Sequence, residues 1–276
     1  MSRGSFVDAR AKLGRAARLR SRGGVARPWW RDAVIAECVA AVLFSLTPGT
    51  ASAQQWSPRG SPRAYSVYRM TEAPAAMGRW DPCTPIGYRV NSALAGQGAV
   101  VDVREAVRRL SWATGLTFVY RGRTTVVPQA EWDDAAYPAD TQVIVAWVRP
   151  AQTLLWPEGT ITVNGQDTTV GTGGAWHVHA RDSAGRLWGR YSRGYALLNA
   201  RVTLPAGFAA IGRSGSRGRE IMHELGHMVG LDHPHLADRE QIMFPELTRR
   251  PGRWGRGDLA GLRSVGAGGG CLRDVA

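Results

Sequence analysis

A chain of 276 residues accommodates one domain of about 200 residues with leader or linker segments beside it. The formal charge is +13, but residues 1–53 carry nine of the 35 basic residues and three of the 22 acidic ones, which leaves 26 basic against 19 acidic residues beyond them. Lys12 is the sole lysine and the arginines are scattered, without basic runs interleaved with aromatics, so no nucleic-acid partner is expected; no run of 18 apolar residues marks a membrane span.

The chain opens with a long basic region, an apolar stretch from Ala33 to Leu46, then Pro48-Gly49 and Ala51-Ser52-Ala53. This order describes a secretory signal peptide over residues 1–53 with cleavage after Ala53, and hence a secreted, extracellular protein. An uncleaved N-terminal segment anchored in the membrane is the alternative, although the apolar stretch is short of the roughly 20 residues a stable span needs. Cleavage removes Cys38 and leaves Cys83 and Cys271, one near each end of the mature chain, and in an oxidising compartment the simple expectation is one disulfide between them.

Residues 54–82, rich in Pro, Ser, Arg and Gly at their start, predict a linker or short pro-segment, and residues 83–276 a single catalytic domain. Alternation over Ile86–Asn91 predicts a strand. Val103, Ala106, Val107, Leu110 and Ala113 then recur at helical spacing until Gly115. Further strands are expected at Leu116–Tyr120, Gln142–Val148 and Tyr195–Thr203, whereas the Gly- and Thr-rich stretch from Gly159 to Gly194 suggests loop broken by brief strands. The order predicts an α+β domain: a mixed, twisted sheet with helices on one side.

The segment His223-Glu-Leu-Gly-His-Met-Val-Gly-Leu-Asp-His233 fixes five positions of an HExxHxxGxxH pattern, which chance places in roughly one chain in 10⁵. Ile221, Met222, Leu225, Met228 and Val229 lie on one side of the predicted helix and His223 and His227, four residues apart, on another, so that one face is buried and the other offers two imidazoles. Gly230 accepts the left-handed conformation that ends a helix, letting the chain turn back to bring His233 as a third ligand. Three neutral imidazoles leave a fourth zinc position open, the arrangement of a catalytic rather than a structural ion. Glu224, next to His223, is placed to take a proton from water without itself ligating, which makes it the candidate general base.

These residues resemble the metzincins, a clan of zinc endopeptidases defined by the extended helix motif and a downstream methionine turn, and within it the matrixins, or matrix metalloproteases. The turn is matched by Gln241-Ile-Met-Phe-Pro-Glu246, ten residues beyond the third histidine counted to Met243. The resemblance implies a zincin-like catalytic domain with a short C-terminal helix near Gly257–Leu262. It further implies that Met243 lies beneath the imidazoles and Pro245 lines the pocket for the residue after the cleaved bond. The implied activity is hydrolysis of peptide bonds in protein or peptide substrates, by one catalytic zinc and without a covalent intermediate, in a protein expected to be monomeric. A zinc-binding protein without proteolytic activity, secreted or surface-anchored, is the alternative.

Two departures from the family pattern stand out. The structural zinc and calcium loop common in matrixins has only His177, His179, Asp167 and Asp182 to represent it, which makes a second zinc unexpected and leaves calcium open. Asp81-Pro-Cys-Thr-Pro85 is a poor copy of the pro-segment motif whose cysteine caps the zinc, so Cys83 is assigned to the disulfide instead. His235 and Asp232 flank the third ligand, but no spacing selects them.

Overall fold

The computed structural model describes residues 57–70, 73, 76–130, 136–156, 162–163, 166–167, 169–209 and 215–274. The expected leader over residues 1–53 lies outside the described residues, as do the first three residues of the expected linker. In chain order the elements are β1 (Ser66–Val67), β2 (Gly78–Arg79), β3 (Ile86–Asn91), α1 (Ala99–Thr114), β4 (Phe118–Arg123), β5 (Val143–Val148), β6 (Thr162–Val163), β7 (Gln166–Asp167), β8 (Gly171–Arg181), β9 (Leu187–Asn199), α2 (Arg217–Met228), β10 (Leu231–Asp232), α3 (Arg256–Val265) and β11 (Arg273–Asp274).

The main sheet runs β11-β8-β9-β5-β3-β4, with β2 added beside the start of β9. Its centre is parallel: β3 pairs in that sense with β4 and β5, and β5 with β9. β8 joins antiparallel to β9, and β11 touches β8 only at Ala180 and Arg181. β5 reads Val-Ile-Val-Ala-Trp-Val and is buried at every position, the pattern of a central strand covered on both faces. Val143, Val145 and Trp147 face the main core with Val103 and Leu110 of α1, Ile221 and Leu225 of α2, and Leu262 of α3. Ile144, Ala146 and Val148 turn the other way, towards Tyr137, Trp156 and Leu197. The expected mixed α+β sheet with its helices on one side is therefore present.

α1 buries the predicted Val103, Ala106, Val107, Leu110 and Ala113, and Gly115 ends it at φ 73°, its N–H donating to the Ser111 carbonyl at 2.8 Å. The stretch expected to be loop broken by brief strands does carry two of them, β6 and β7, but from Gly171 onward it is a long hairpin. β8 spans 11 residues and β9 begins eight residues before the predicted start, at Leu187. Glycine hides this strand from propensity-based reading, yet close packing requires it. A Cβ on Gly173 would run into the Glu224 backbone, and one on Gly194 would come within 2.8 Å of the Met228 side chain.

Residues 57–70 of the expected linker or pro-segment are packed against the domain. Arg256 N–H donates to the Arg59 carbonyl at 2.8 Å, Ala64 is fully buried, and β1 pairs antiparallel with β10. Cys83 and Cys271 form a disulfide with their Cα atoms 5.4 Å apart, joining the approach to β3 with the approach to β11. Such a bond fits an extracellular location. No helix among the described residues is long and apolar enough to cross a membrane.

Candidate metal centre

α2 begins after Ser216, whose extended backbone precedes the first helical residue, and it is fixed to α1 by a largely buried ion pair between Arg217 and Asp102 at 2.7 Å. Ile221, Met222, Leu225 and Met228 carry it into the core. The polar side is covered too. Glu224 is 2% exposed and His227 6% exposed, because β8 and the segment after His233 close over the face that sequence periodicity left open.

His223 and His227 stand one turn apart on α2, and Gly230, at φ 113°, reverses the chain after the helix as its composition suggested. A Cβ there would lie 2.9 Å from the Gly78 carbonyl. β10 follows and delivers His233, whose backbone N–H donates to the Asp232 carboxylate at 2.7 Å. The Nε2 atoms of the three histidines form a triangle with edges of 3.1, 3.2 and 3.2 Å.

The His223–His227 contact is not a hydrogen bond between imidazoles. The Nδ1 of His223 lies 2.8 Å from the Ile242 carbonyl and that of His227 lies 2.9 Å from the Leu231 carbonyl. A carbonyl only accepts, so both Nδ1 atoms carry the proton and both Nε2 atoms present lone pairs to one another. Two acceptors at 3.1 Å repel unless a cation lies between them. Four ligands arranged tetrahedrally at 2.0–2.1 Å from a zinc ion are about 3.3–3.4 Å apart, close to the triangle's edges. The His223, His227 and His233 group can therefore hold a metal ion, and its nitrogen-only donor set suits a first-row transition metal or zinc. Burial keeps the imidazoles neutral: it pushes His223 well down and His227 down to about 4, and lowers His233 as well.

Ile242 and Pro245 line the cleft over the histidines. The Met243 sulfur packs against Gly226, the residue before His227, so closely that a Cβ on Gly226 would overlap it. Asp258, near the start of α3, accepts the N–H groups of Ile242 at 2.6 Å and Met243 at 3.1 Å, and that of Gly255 at 2.8 Å. The turn under the histidines is thereby tied to α3. Burial raises the Asp258 carboxyl to about 6, against the pull of those N–H donors and of Arg219.

The Glu224 carboxyl lies under Gly171, and its Oε2 has no hydrogen-bond partner. Burial pushes it well up, and Glu220, one helical turn earlier and itself buried, pushes it further through its charge and a hydrogen bond. A cation on the three imidazoles works in the opposite direction. A cleft of about 520 Å³ opens over these groups, lined by Tyr68, Gly171–Gly173, Glu220, Phe244, Pro245 and Leu247 among others.

Sequence reasoning did not find Glu220 or Tyr68. The spacing of four from Glu224 could have revealed Glu220. Nothing local marks Tyr68, which reaches the site only through tertiary pairing. Among the described residues, His235 belongs to no group that can hold a metal ion, and Asp232 serves the His233 backbone. Among the described residues no third donor joins His177 and His179 within reach of one ion, and the side chain of Asp167 is outside those residues. The chain matches no protein-family model, and no curated protein is similar to it in sequence.

Proposed function

We propose that this chain is a secreted zinc-dependent endopeptidase of the metzincin type, similar to the matrixins, which cleaves peptide bonds in protein substrates. The carrying observation is the triangle of three converging Nε2 atoms, two of them fixed as lone-pair donors, beside a buried carboxyl with a free oxygen, at the floor of an open cleft. His223, His227 and His233 would hold the zinc ion, which would supply Lewis acidity to a substrate carbonyl and to the attacking water.

The protein does the rest. The Ile242 and Leu231 carbonyls fix two of the ligands as the tautomers that bind through Nε2. Glu224 takes a proton from the attacking water onto a carboxylate oxygen and passes it to the leaving amine. β8 has no strand partner along its outer edge over Gly171–Ala175 among the described residues, and its first residues line the cleft. An extended substrate can pair with that edge, backbone to backbone, which suits cleavage within a chain. Phe244, Pro245 and Leu247 form an apolar wall for one substrate side chain.

Casein hydrolysis by the wild type and by Glu224→Gln, each with its zinc content measured, tests the reading. The variant is expected to bind one zinc and to lose 10²–10⁴-fold in rate. Zinc-loaded wild type that cleaves neither casein nor a peptide library would favour a binding role.

A further inference from the structure

The short segment ahead of β2 reaches the metal centre. Val67 pairs with Leu231 and Ser66 with Asp232, so β1 is hydrogen-bonded to the two residues immediately before His233. Tyr68 N–H donates to the Gly230 carbonyl at 2.9 Å, and Tyr68 accepts at its own carbonyl the N–H of Gly78 at 3.3 Å. Its hydroxyl stands 3.2 Å from Nδ1 of His227, with the two rings tilted at 39°. Both acceptors on the outer nitrogen of His227 therefore come from this ribbon: the Tyr68 hydroxyl oxygen at 3.2 Å, and the Leu231 carbonyl at 2.9 Å, held in place by Val67.

We propose that Tyr68 is a positioning residue of the metal centre, its hydroxyl oxygen accepting from the Nδ1–H of His227 and thereby orienting that ligand, so that Ser66–Tyr68 is a working part of the site. This rests on the reading of the three histidines as zinc ligands. A donor proton shared between two acceptors holds the imidazole plane from two directions and enriches the electron density at Nε2, the effect outer partners have on metal-bound histidines. The hydroxyl proton is left for water or substrate, since Tyr68 lines the cleft and is 38% exposed.

It follows that removing the N-terminal stretch up to residue 82 would strip the site of a ligand support.

Tyr68→Phe in the full chain removes the oxygen and keeps the ring. Zinc affinity, measured by competition with a chromophoric chelator, is expected to fall about tenfold, the low end for an outer partner because the Leu231 carbonyl remains. The visible spectrum of the cobalt-loaded protein is expected to shift, and the melting temperature of the metal-free protein to stay where it was. Zinc affinity within twofold of wild type and an unmoved cobalt spectrum would overturn the proposal, as would a wild type that binds no zinc. Peptidase activity is not the readout, so zinc-loaded but inactive wild type would sink the proposed function while leaving this measurement decisive.

Discussion

Two pairs of histidines in this molecule are built on different scaffolds. His223 and His227 are four apart on a helix, their Nε2 atoms 3.1 Å from each other, with carbonyl acceptors on both outer nitrogens. His177 and His179 are two apart on β8, where side chains of one face stand side by side, and their ring centroids are 6.4 Å apart. A metal site needs convergence, and here the helical pair stands closer, its ring centroids 4.8 Å apart, than the strand pair. It also needs a third donor. A reversing glycine and a two-residue ribbon bring His233 to the first pair, whereas no third donor joins the second among the described residues. Asp182, the nearest candidate in sequence, has its carboxylate occupied by the N–H groups of Ala184, Arg186 and Trp188 in the hairpin turn.

The largest expected effect separates the two pairs directly. His227→Ala is expected to reduce bound zinc from one ion per chain to background, and peptidase activity with it, because two imidazoles and a loop do not compete with solvent for the ion. His177→Ala is expected to leave both unchanged. Elemental analysis after dialysis reads the difference, and loss of zinc from His177→Ala would mean that β8 contributes a ligand.

A smaller effect is expected where β8 lies against α2. At Gly173 a Cβ would meet the Glu224 backbone, with its carbonyl carbon at 2.9 Å and Cα at 3.0 Å, whereas at Gly268 it would meet nothing within 4 Å. Gly173→Ala must therefore push the strand away from the helix that carries the base. The expected cost is about 1–3 kcal/mol of stability, with a loss of activity larger than stability explains. Gly268→Ala should stay within about 0.5 kcal/mol. Equal melting temperatures for the two variants would show that the strand-to-helix contact is slack.

The same glycines explain what could be read in the sequence. β3, α1 and β5 announce themselves because each buries a face or a full strand in one continuous core, and the pattern of apolar residues records it. The HExxHxxGxxH spacing is equally plain, since helical pitch dictates which residues meet. β8 was hidden because its glycines answer a tertiary requirement, the approach of Gly171 and Gly173 to Glu224, that local propensity scores as loop. Ser66–Tyr68 was hidden for a related reason. Two paired residues bear no periodicity, and what makes them a strand is β10, more than 160 positions away. Burial of the polar side of α2 was also unreadable, because the elements that cover it are remote in the chain.

The smallest expected effect is at the tip of the β8–β9 hairpin and turns on pH. Burial alone would raise the Asp182 carboxyl, but the Trp188 indole, the Arg186 backbone and guanidinium and the Ala184 N–H bring it down to about 2, below its ordinary 3.8. A carboxyl depressed in the folded state adds stability above its unfolded pKa, and that contribution fades as pH falls from about 4 to about 2. Asp182→Asn is therefore expected to melt below the wild type at pH 5 and to converge with it as pH approaches 2. The zinc site, carried by α2 and β10, should be unaffected by the substitution at neutral pH. A gap between the two proteins that stays constant across this range would show that the turn is held by shape rather than by the carboxylate's charge, and would remove the reason for treating Asp182 as occupied by its own hairpin.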